Sequence, residues 1–360
     1  MAHVETRPET SRLSPLVVWD AIRTECDARQ LRVVVGGRIL DEGAGLDLVG
    51  NFDDVESLCE AADDDTLVYA QNVHAVSPAV VRAVCEDYGR RMVDVGLPTG
   101  LVECEVFAGR YRSTPGGIHR EVCSNLHTVL GGEKTFYFWE PELSSSLNVE
   151  PEAKSYDSMD RPEEYLDGVS LDEVRDAAFK CTVGSRQFIE WSPWTWHIAD
   201  AISPCISLNV AIYSERGDGL SRLPVGVGPD GDVERGWLDE YISFSEARVP
   251  SRVRALAMVS TAGMVVPQQD PLRDAERPNV GDFHVVRESS APAYWMRDES
   301  RIVVASCGST VAVEPTAAEV VEWFCSGTTE PLCVEKAGAD FVNWLIGMKL
   351  VELCANRESL

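Results

Sequence analysis

Ile118-His119-Arg120-Glu121 is the stretch on which the reading turns. It is followed by Gly131-Gly132-Glu133-Lys134-Thr135-Phe136-Tyr137-Phe138-Trp139 and, further on, by Trp191-Ser192-Pro193-Trp194-Thr195-Trp196-His197. Residues two apart on a strand share a face, so a strand through His119-Arg120-Glu121 sends the imidazole and the carboxylate one way and Arg120 the other. An imidazole beside a carboxylate makes two corners of the facial triad that holds non-haem iron(II). The third corner must come from a distant strand. His197, between a run of tryptophans and the strand expected at Cys205–Tyr213, suits that role. Taken alone, an HxE triplet is weak evidence, since chance supplies the pattern often and a solvated surface pair is its commoner source. Of the six histidines, His3 and His284 read as incidental and His74, at a strand end, as structural. His127 lies eight residues after His119 and would share its face on an unbroken strand. Packing or solvent exposure explains it better than support of a ligand or contact with substrate does, and it is not assigned as a ligand.

Around that stretch the chain reads as short strands of alternating polarity: Val102–Ala108, Asn125–Leu130, Thr135–Trp139, Gln187–Trp191 and Cys205–Tyr213. Strands of this length separated by turns predict a small antiparallel barrel or sandwich. Upstream, the pattern predicts helices over Leu16–Arg29 and Asp53–Ala62, strands over Leu31–Val35 and Thr66–Val73, and a helix from Ser77-Pro78 to about Met92, capped by Ser77. The excursion Glu140–Lys180 is rich in Ser, Pro, Asp and Glu, and a loop that long is usually functional or mobile. The expected organisation is a disordered lead at 1–13, a catalytic domain at 14–215, a linker at 216–236 carrying six glycines, a helical segment at 237–266 and, after a second linker, a terminal module at 282–360. In that module strands at His284–Arg287 and Arg301–Ala305, helices at Thr316–Phe324 and Ala339–Leu345, and a strand near Lys349–Leu353 suit a winged-helix-like domain.

Bulk properties narrow the function. At 360 residues and 44% hydrophobic composition the chain can bury a substantial core. No apolar run is long enough to span a membrane, and the polar first twelve residues lack the core of a signal peptide, so a cytoplasmic location is expected. Eleven cysteines form no CxxC pair, which argues for scattered reduced thiols rather than disulfides or a zinc knuckle. The net charge of −27 opposes nucleic-acid binding, which needs a basic footprint. Residues 282–360 alone hold six Lys/Arg against twelve Asp/Glu, so the same holds for the winged-helix-like module. An acidic field attracts a basic peptide or protein, although acidity also serves solubility alone.

Two polar residues follow the HxE triplet. Lys134, fifteen residues after His119, stands inward on the next strand if the alternation holds, where an ammonium can pair with the distal carboxylate of 2-oxoglutarate; otherwise it is a surface lysine after a Gly-Gly turn. Asn125 can offer an amide to the same cofactor or to substrate, or sit at a strand edge. The run Val106–Tyr213 resembles a Jumonji-C catalytic core, nearest the ribosomal oxygenase branch of the cupin-like proteins. The resemblance lies in Ser113-Thr114-Pro115-Gly116-Gly117-Ile118-His119-Arg120-Glu121, in Gly132-Glu133-Lys134 with its aromatic strand and Pro141, in Val183-Gly184-Ser185-Arg186-Gln187-Phe188-Ile189-Glu190-Trp191-Ser192-Pro193, and in Trp194-Thr195-Trp196-His197.

That resemblance implies a mainly β fold with α elements: a double-stranded β-helix (jelly-roll, cupin) core, then a helical dimerisation segment and a winged-helix-like domain. It implies that His119, Glu121 and His197 ligate Fe(II), that Lys134 binds the C5 carboxylate of 2-oxoglutarate, that Asn125 sits beside the cofactor and that Asn209 lines the same pocket. The expected activity is a dioxygenase that hydroxylates a side chain in a protein or peptide, consuming dioxygen and 2-oxoglutarate and releasing succinate. Two departures keep alternatives open. The protein hydroxylases of this branch usually carry aspartate where Glu121 stands, glutamate being familiar in the demethylases, and the Glu140–Lys180 excursion has no familiar pattern. A tailoring hydroxylase for a peptide natural product or free amino acid, an N-demethylase and a non-catalytic cupin-like binding protein therefore remain. Trp191, Trp194 and Trp196 either wall the entrance or pack beneath it.

Overall fold

A computed structural model describes residues 3–6, 12–62, 65–89, 97–98, 102–114, 116–154, 163–213, 222–223, 231–244, 251–261, 263–264, 266, 284–287, 289–298, 300–328, 330–333 and 339–354. The fold is mainly β with α. The chain divides into two compact units, Met1–Val80 with Gly100–Ser221, and Val81–Thr99 with Arg222–Leu360. The segment 81–99 thus groups with the C-terminal half, where the sequence reading had placed it in one continuous domain from 14 to 215.

The first unit is built on a 13-stranded antiparallel assembly. One sheet runs in the order His3–Thr6, Gln187–Trp191, Cys123–Gly131, Trp196–Tyr213, Val102–Tyr111, Thr66–Ala70, Leu31–Val35, Arg38–Ile39. The other runs Glu152–Lys154, Glu163–Tyr165, His119–Glu121, Trp196–Tyr213, Glu133–Trp139, Phe179–Gly184. The 18-residue strand Trp196–Tyr213 belongs to both. Its first residues pair with Glu133–Trp139 and with His119, and its last nine with Val102–Tyr111 and Cys123–Gly131. The register shifts between Ala201 and Cys205, where Pro204 sits, and a bulge is where a sheet tolerates proline. Two antiparallel sheets joined by a shared strand are consistent with a jelly-roll core.

Alternation builds these strands. Val102–Tyr111 buries Val102, Cys104, Val106 and Ala108 on one face and turns Glu103, Glu105 and Phe107 to the other. Packed between the sheets, Val129, Phe136, Phe138, Ile189 and Trp191 form one core cluster. Helix Pro15–Thr24 starts where Ser14 accepts from the Val17 amide with proline in the first turn, and Val55–Ala61 starts in a capping box between Asp54 and Ser57.

Several expectations change. Within the lead at 1–13, His3–Thr6 is a strand, antiparallel to Gln187–Trp191, because that sheet edge offers unpaired backbone groups. The helix opened by Pro78 is α-helical only to Val84 and continues as a π turn over Cys85–Gly89; 90–96 lie outside the described residues. The Glu140–Lys180 excursion contains helices Leu143–Leu147 and Leu171–Val174 and the strand pair Glu152–Lys154 with Glu163–Tyr165. Most of the 216–236 linker and all of the 267–281 linker lie outside the described residues.

In the second unit, the expected helical segment 237–266 is two helices, Arg235–Phe244 and Arg252–Ser260, with the Arg252 guanidinium bonded to Asp239. Strands Leu332–Cys333, His284–Arg287 and Val351–Cys354 form one sheet. Ala293–Asp298, Arg301–Ser306 and Ser309–Val313 form a meander whose outer two strands the sequence reading missed. Helices Ala318–Cys325 and Ala339–Gly347 fall where expected. Among the described residues no helix is long and apolar enough to cross a membrane.

Gly132, with φ +77°, turns the chain from one sheet to the other just before Lys134, and a Cβ there would meet the Pro204 carbonyl oxygen at 2.1 Å. Gly168 has nearly the same φ, +75°, but nothing within 4 Å of the added atom. Gly168→Ala should cost about 1 kcal/mol for the left-handed backbone alone, and Gly132→Ala at least about 3 kcal/mol. Urea unfolding midpoints of the two variants check this.

Candidate active site

The short strand His119–Glu121 lies against the start of Trp196–Tyr213, and His197 is the register partner of His119. His197 therefore stands on the strand, not in a loop before it, since the strand begins nine residues earlier than the sequence indicated. His119 and Glu121 project to the same side as His197. Arg120 points away, bonding Glu164 across the strand pair at 2.7 Å and resting 4.5 Å over the Trp196 ring. The ligand atoms of His119, Glu121 and His197 all lie within 4.8 Å of one another, and they form the one such cluster among the described residues.

The donor set fits a divalent ion. His119 Nδ1 stands 2.9 Å from the Gly117 carbonyl oxygen, and His197 Nδ1 stands 2.9 Å from that of Thr195. A carbonyl only accepts, so each Nδ1 carries the proton and each Nε2 keeps its lone pair for the cluster. Burial, then the neighbouring His119, hold His197 well below the usual histidine range, which keeps it neutral. The Glu121 carboxyl is pushed up to about 7 by burial and then by Glu163. It faces neutral imidazoles and other carboxylates, surroundings in which a cation is the favourable partner. Asn125 Nδ2 donates to Glu121 Oε1 at 2.8 Å.

His119, Glu121 and His197 line one wall of a cavity of about 540 Å³, a volume suited to a small organic ligand. At another part of the wall stands Lys134, 1% exposed. Its Nζ lies 3.2 Å from His127 Nε2 and 3.3 Å from Ser207 Oγ, and 4.2 Å over the Phe107 ring. Among the described residues no carboxylate pairs with it. Burial pulls its pKa down to about 7. Burial and then the Lys134 charge hold His127 well below the usual range, so its Nε2 accepts from the ammonium. A buried ammonium that spends its donors on neutral groups is costly to the fold and favourable to an incoming anion.

The sequence-derived residues fall as follows. His119, Glu121 and His197 come together, and Lys134 faces the same cavity. Asn209 also lines it, whereas Asn125, 2% exposed, lies behind Glu121 and off the cavity wall. Trp191 lines the wall, its ring centroid 5.0 Å from that of His197, while Trp196 is fully buried in a separate cluster, donating to the Pro141 carbonyl oxygen. Four contributors escaped the sequence reading. These are His127, Ser207, Glu105 and Tyr69. The even offset of His127 from His119 and the shared face of Glu103, Glu105 and Phe107 were the available signals. His74 is structural as expected, accepting from the Cys104 amide at 3.1 Å.

No family model matches the chain, and no curated protein matches it. Among solved structures, the X-ray structure of YcfD from Escherichia coli is similar at 13% identity and a TM-score of 0.47, over 98% of this chain and 95% of that one. YcfD, described as a ribosomal oxygenase, is also similar in its complex with cobalt and succinic acid (13% identity, TM-score 0.45) and in its complex with cobalt and 2-oxoglutarate (12% identity, TM-score 0.45), each over 98% of this chain and 94% of that one. At such scores the likeness is one of chain path, and the roles of residues here rest on this chain's own side chains.

Lys134 makes stability depend on pH. Its folded pKa, about 7, lies below the value of roughly 10.4 for a free lysine, so between these values the unfolded chain binds more protons and stability rises with pH. Lys134→Met should abolish that rise and unfold at higher denaturant than the parent at pH 7. Paired urea titrations at pH 7 and pH 10 measure it, the parent-minus-variant difference isolating this one group.

Proposed function

We propose that the chain is an iron(II)- and 2-oxoglutarate-dependent dioxygenase of the Jumonji-C/cupin type, hydroxylating a side chain of a protein or peptide as 2-oxoglutarate is converted to succinate. One observation carries this reading: a single cavity holds both a two-imidazole, one-carboxylate cluster and a buried ammonium that pairs with no carboxylate among the described residues. The first suits iron(II). The second suits the far carboxylate of a dicarboxylic acid whose other end lies at the metal. A non-catalytic binding protein has no need of both.

Each residue then has a task. His119, Glu121 and His197 would hold the ion on one face, leaving the other to co-substrate and dioxygen. Bound there, iron(II) supplies the activation of dioxygen that organic side chains cannot. Lys134 holds the C5 carboxylate, with His127 and Ser207 fixing its Nζ. Phe107, Phe136 and Trp191 wall the cavity with aromatic surface, which excludes water and strengthens the charge pair. Near the metal cluster Glu103, Glu105 and Glu163 line the cavity, and with a net charge of −27 they favour a basic peptide segment as substrate. We take the terminal module at 282–360, winged-helix-like in its element order and acidic, as a protein-interaction or dimerisation module in a cytoplasmic enzyme that does not bind nucleic acid.

Anaerobic titration of the metal-free protein with iron(II) and 2-oxoglutarate tests the class. The expected result is a weak visible charge-transfer band. That band should be lost in His197→Ala and should require about 100-fold more 2-oxoglutarate in Lys134→Ala, the factor expected when one partner of a desolvated charge pair is removed. A folded parent that shows no band would overturn the assignment.

A further inference from the structure

We propose that Asn125 and Asn209 are positioning residues for the metal carboxylate rather than contacts to the co-substrate, forming a hydrogen-bond chain of fixed direction from Glu105 to Glu121. The inference rests on the functional reading above and deepens it. Glu105, Asn209 and Asn125 stand on three neighbouring strands of one sheet, with Asn209 the register partner of Glu105. Asn209 Nδ2 donates to Glu105 Oε2 at 3.2 Å and to Asn125 Oδ1 at 2.7 Å. Asn125 Nδ2 then donates to Glu121 Oε1 at 2.8 Å.

The direction follows from the two ends. A carboxylate that ligates a cation only accepts, so Asn125 must turn its amino group to Glu121 and its oxygen to Asn209. Asn209 must then turn its amino group to both Asn125 and Glu105. Reversing either amide sets oxygen against oxygen. The Glu105 end is itself held, because Tyr69 donates to its other oxygen and Gln71 donates to the Tyr69 hydroxyl at 3.1 Å. With both N–H groups committed, Asn209 keeps only a buried acceptor oxygen, which has nothing to offer an anionic co-substrate. Asn125 lies off the cavity surface. Glu121 has one more rotatable bond than aspartate would have, and the chain restrains it, setting where its oxygens meet the two Nε2 atoms.

Two substitutions separate this role from its alternatives. Asn125→Leu removes the donor without adding charge. Asn209→Asp keeps the shape but draws the Asn125 amino group away from Glu121. A simple field effect of an added carboxylate would tighten cation binding, so weakening is diagnostic. Co(II) affinity, read from visible d–d absorption of the anaerobic protein, should fall about tenfold or more in each variant, the usual range for loss of a group that orients a ligand. Affinity for 2-oxoglutarate at saturating Co(II) should stay at the parent value. Parent-like or tighter Co(II) binding in Asn209→Asp overturns the proposal even if Asn125→Leu fails to fold. So does weaker 2-oxoglutarate binding with Co(II) affinity unchanged, which would return the asparagines to direct cofactor contact. A parent that binds no Co(II) overturns the functional reading along with it, whereas parent-like variants overturn this inference alone.

Discussion

Backbone pairing along one strand, Trp196–Tyr213, is the constraint on which the site depends. Its first half completes one sheet and its second half the other, with the register shift between Ala201 and Cys205 marking the passage. Pairing in the first half sets His197 against His119. Pairing in the second half sets Ser207 beneath Lys134 and Asn209 between Glu105 and His127. The side-chain period of a strand is two, so a slip of one residue in the second half would turn Ser207 and Asn209 to the opposite face. The His-Glu-His cluster and the surroundings of Lys134 are thus placed by the same strand, and the distance between them is a property of the fold.

The interior these pairings create is electrostatically unusual. Lys134 and Glu121 are both drawn toward about 7, from opposite directions and by the same cause, loss of water. Glu105 is raised to about 7 as well, by burial and by the charge of Glu121. Buried charges without close ionic partners weaken a fold, and they persist here because neutral groups bond each of them: His127 and Ser207 at Lys134, Asn125 at Glu121, and Tyr69 and Asn209 at Glu105. Such sites commonly violate the rules of stability for the sake of a ligand. A dication at one wall and a dicarboxylate reaching from it to the other would neutralise both.

Much of this was legible from local pattern. Alternation in Val102–Ala108 and Thr135–Trp139 marked strands, and the two-residue spacing of His119 and Glu121 marked a shared face, as the outward pairing of Arg120 bears out. These signals are local because they come from the geometry of one strand or one helical turn. Where local cues conflicted, the reading failed. His3–Thr6 has no strong pattern, yet pairing at a sheet edge makes it a strand. The tryptophan-rich, proline-containing run before His197 resembles a loop, yet the strand begins at Trp196.

The amino-acid sequence by itself determined which residue types could bind a metal and an anion, which of them share a face, and that the field around them is acidic. Only the tertiary structure decided which strands lie side by side, and therefore that His197 faces His119, that His127 lies beside Lys134, and that Asn125 bonds Glu121. The physical reason is that face and period are written in neighbouring residues, whereas register and the direction of a side-chain hydrogen bond depend on partners some 80 to 100 positions away, as between Asn125 and Asn209 or Glu105 and Asn209.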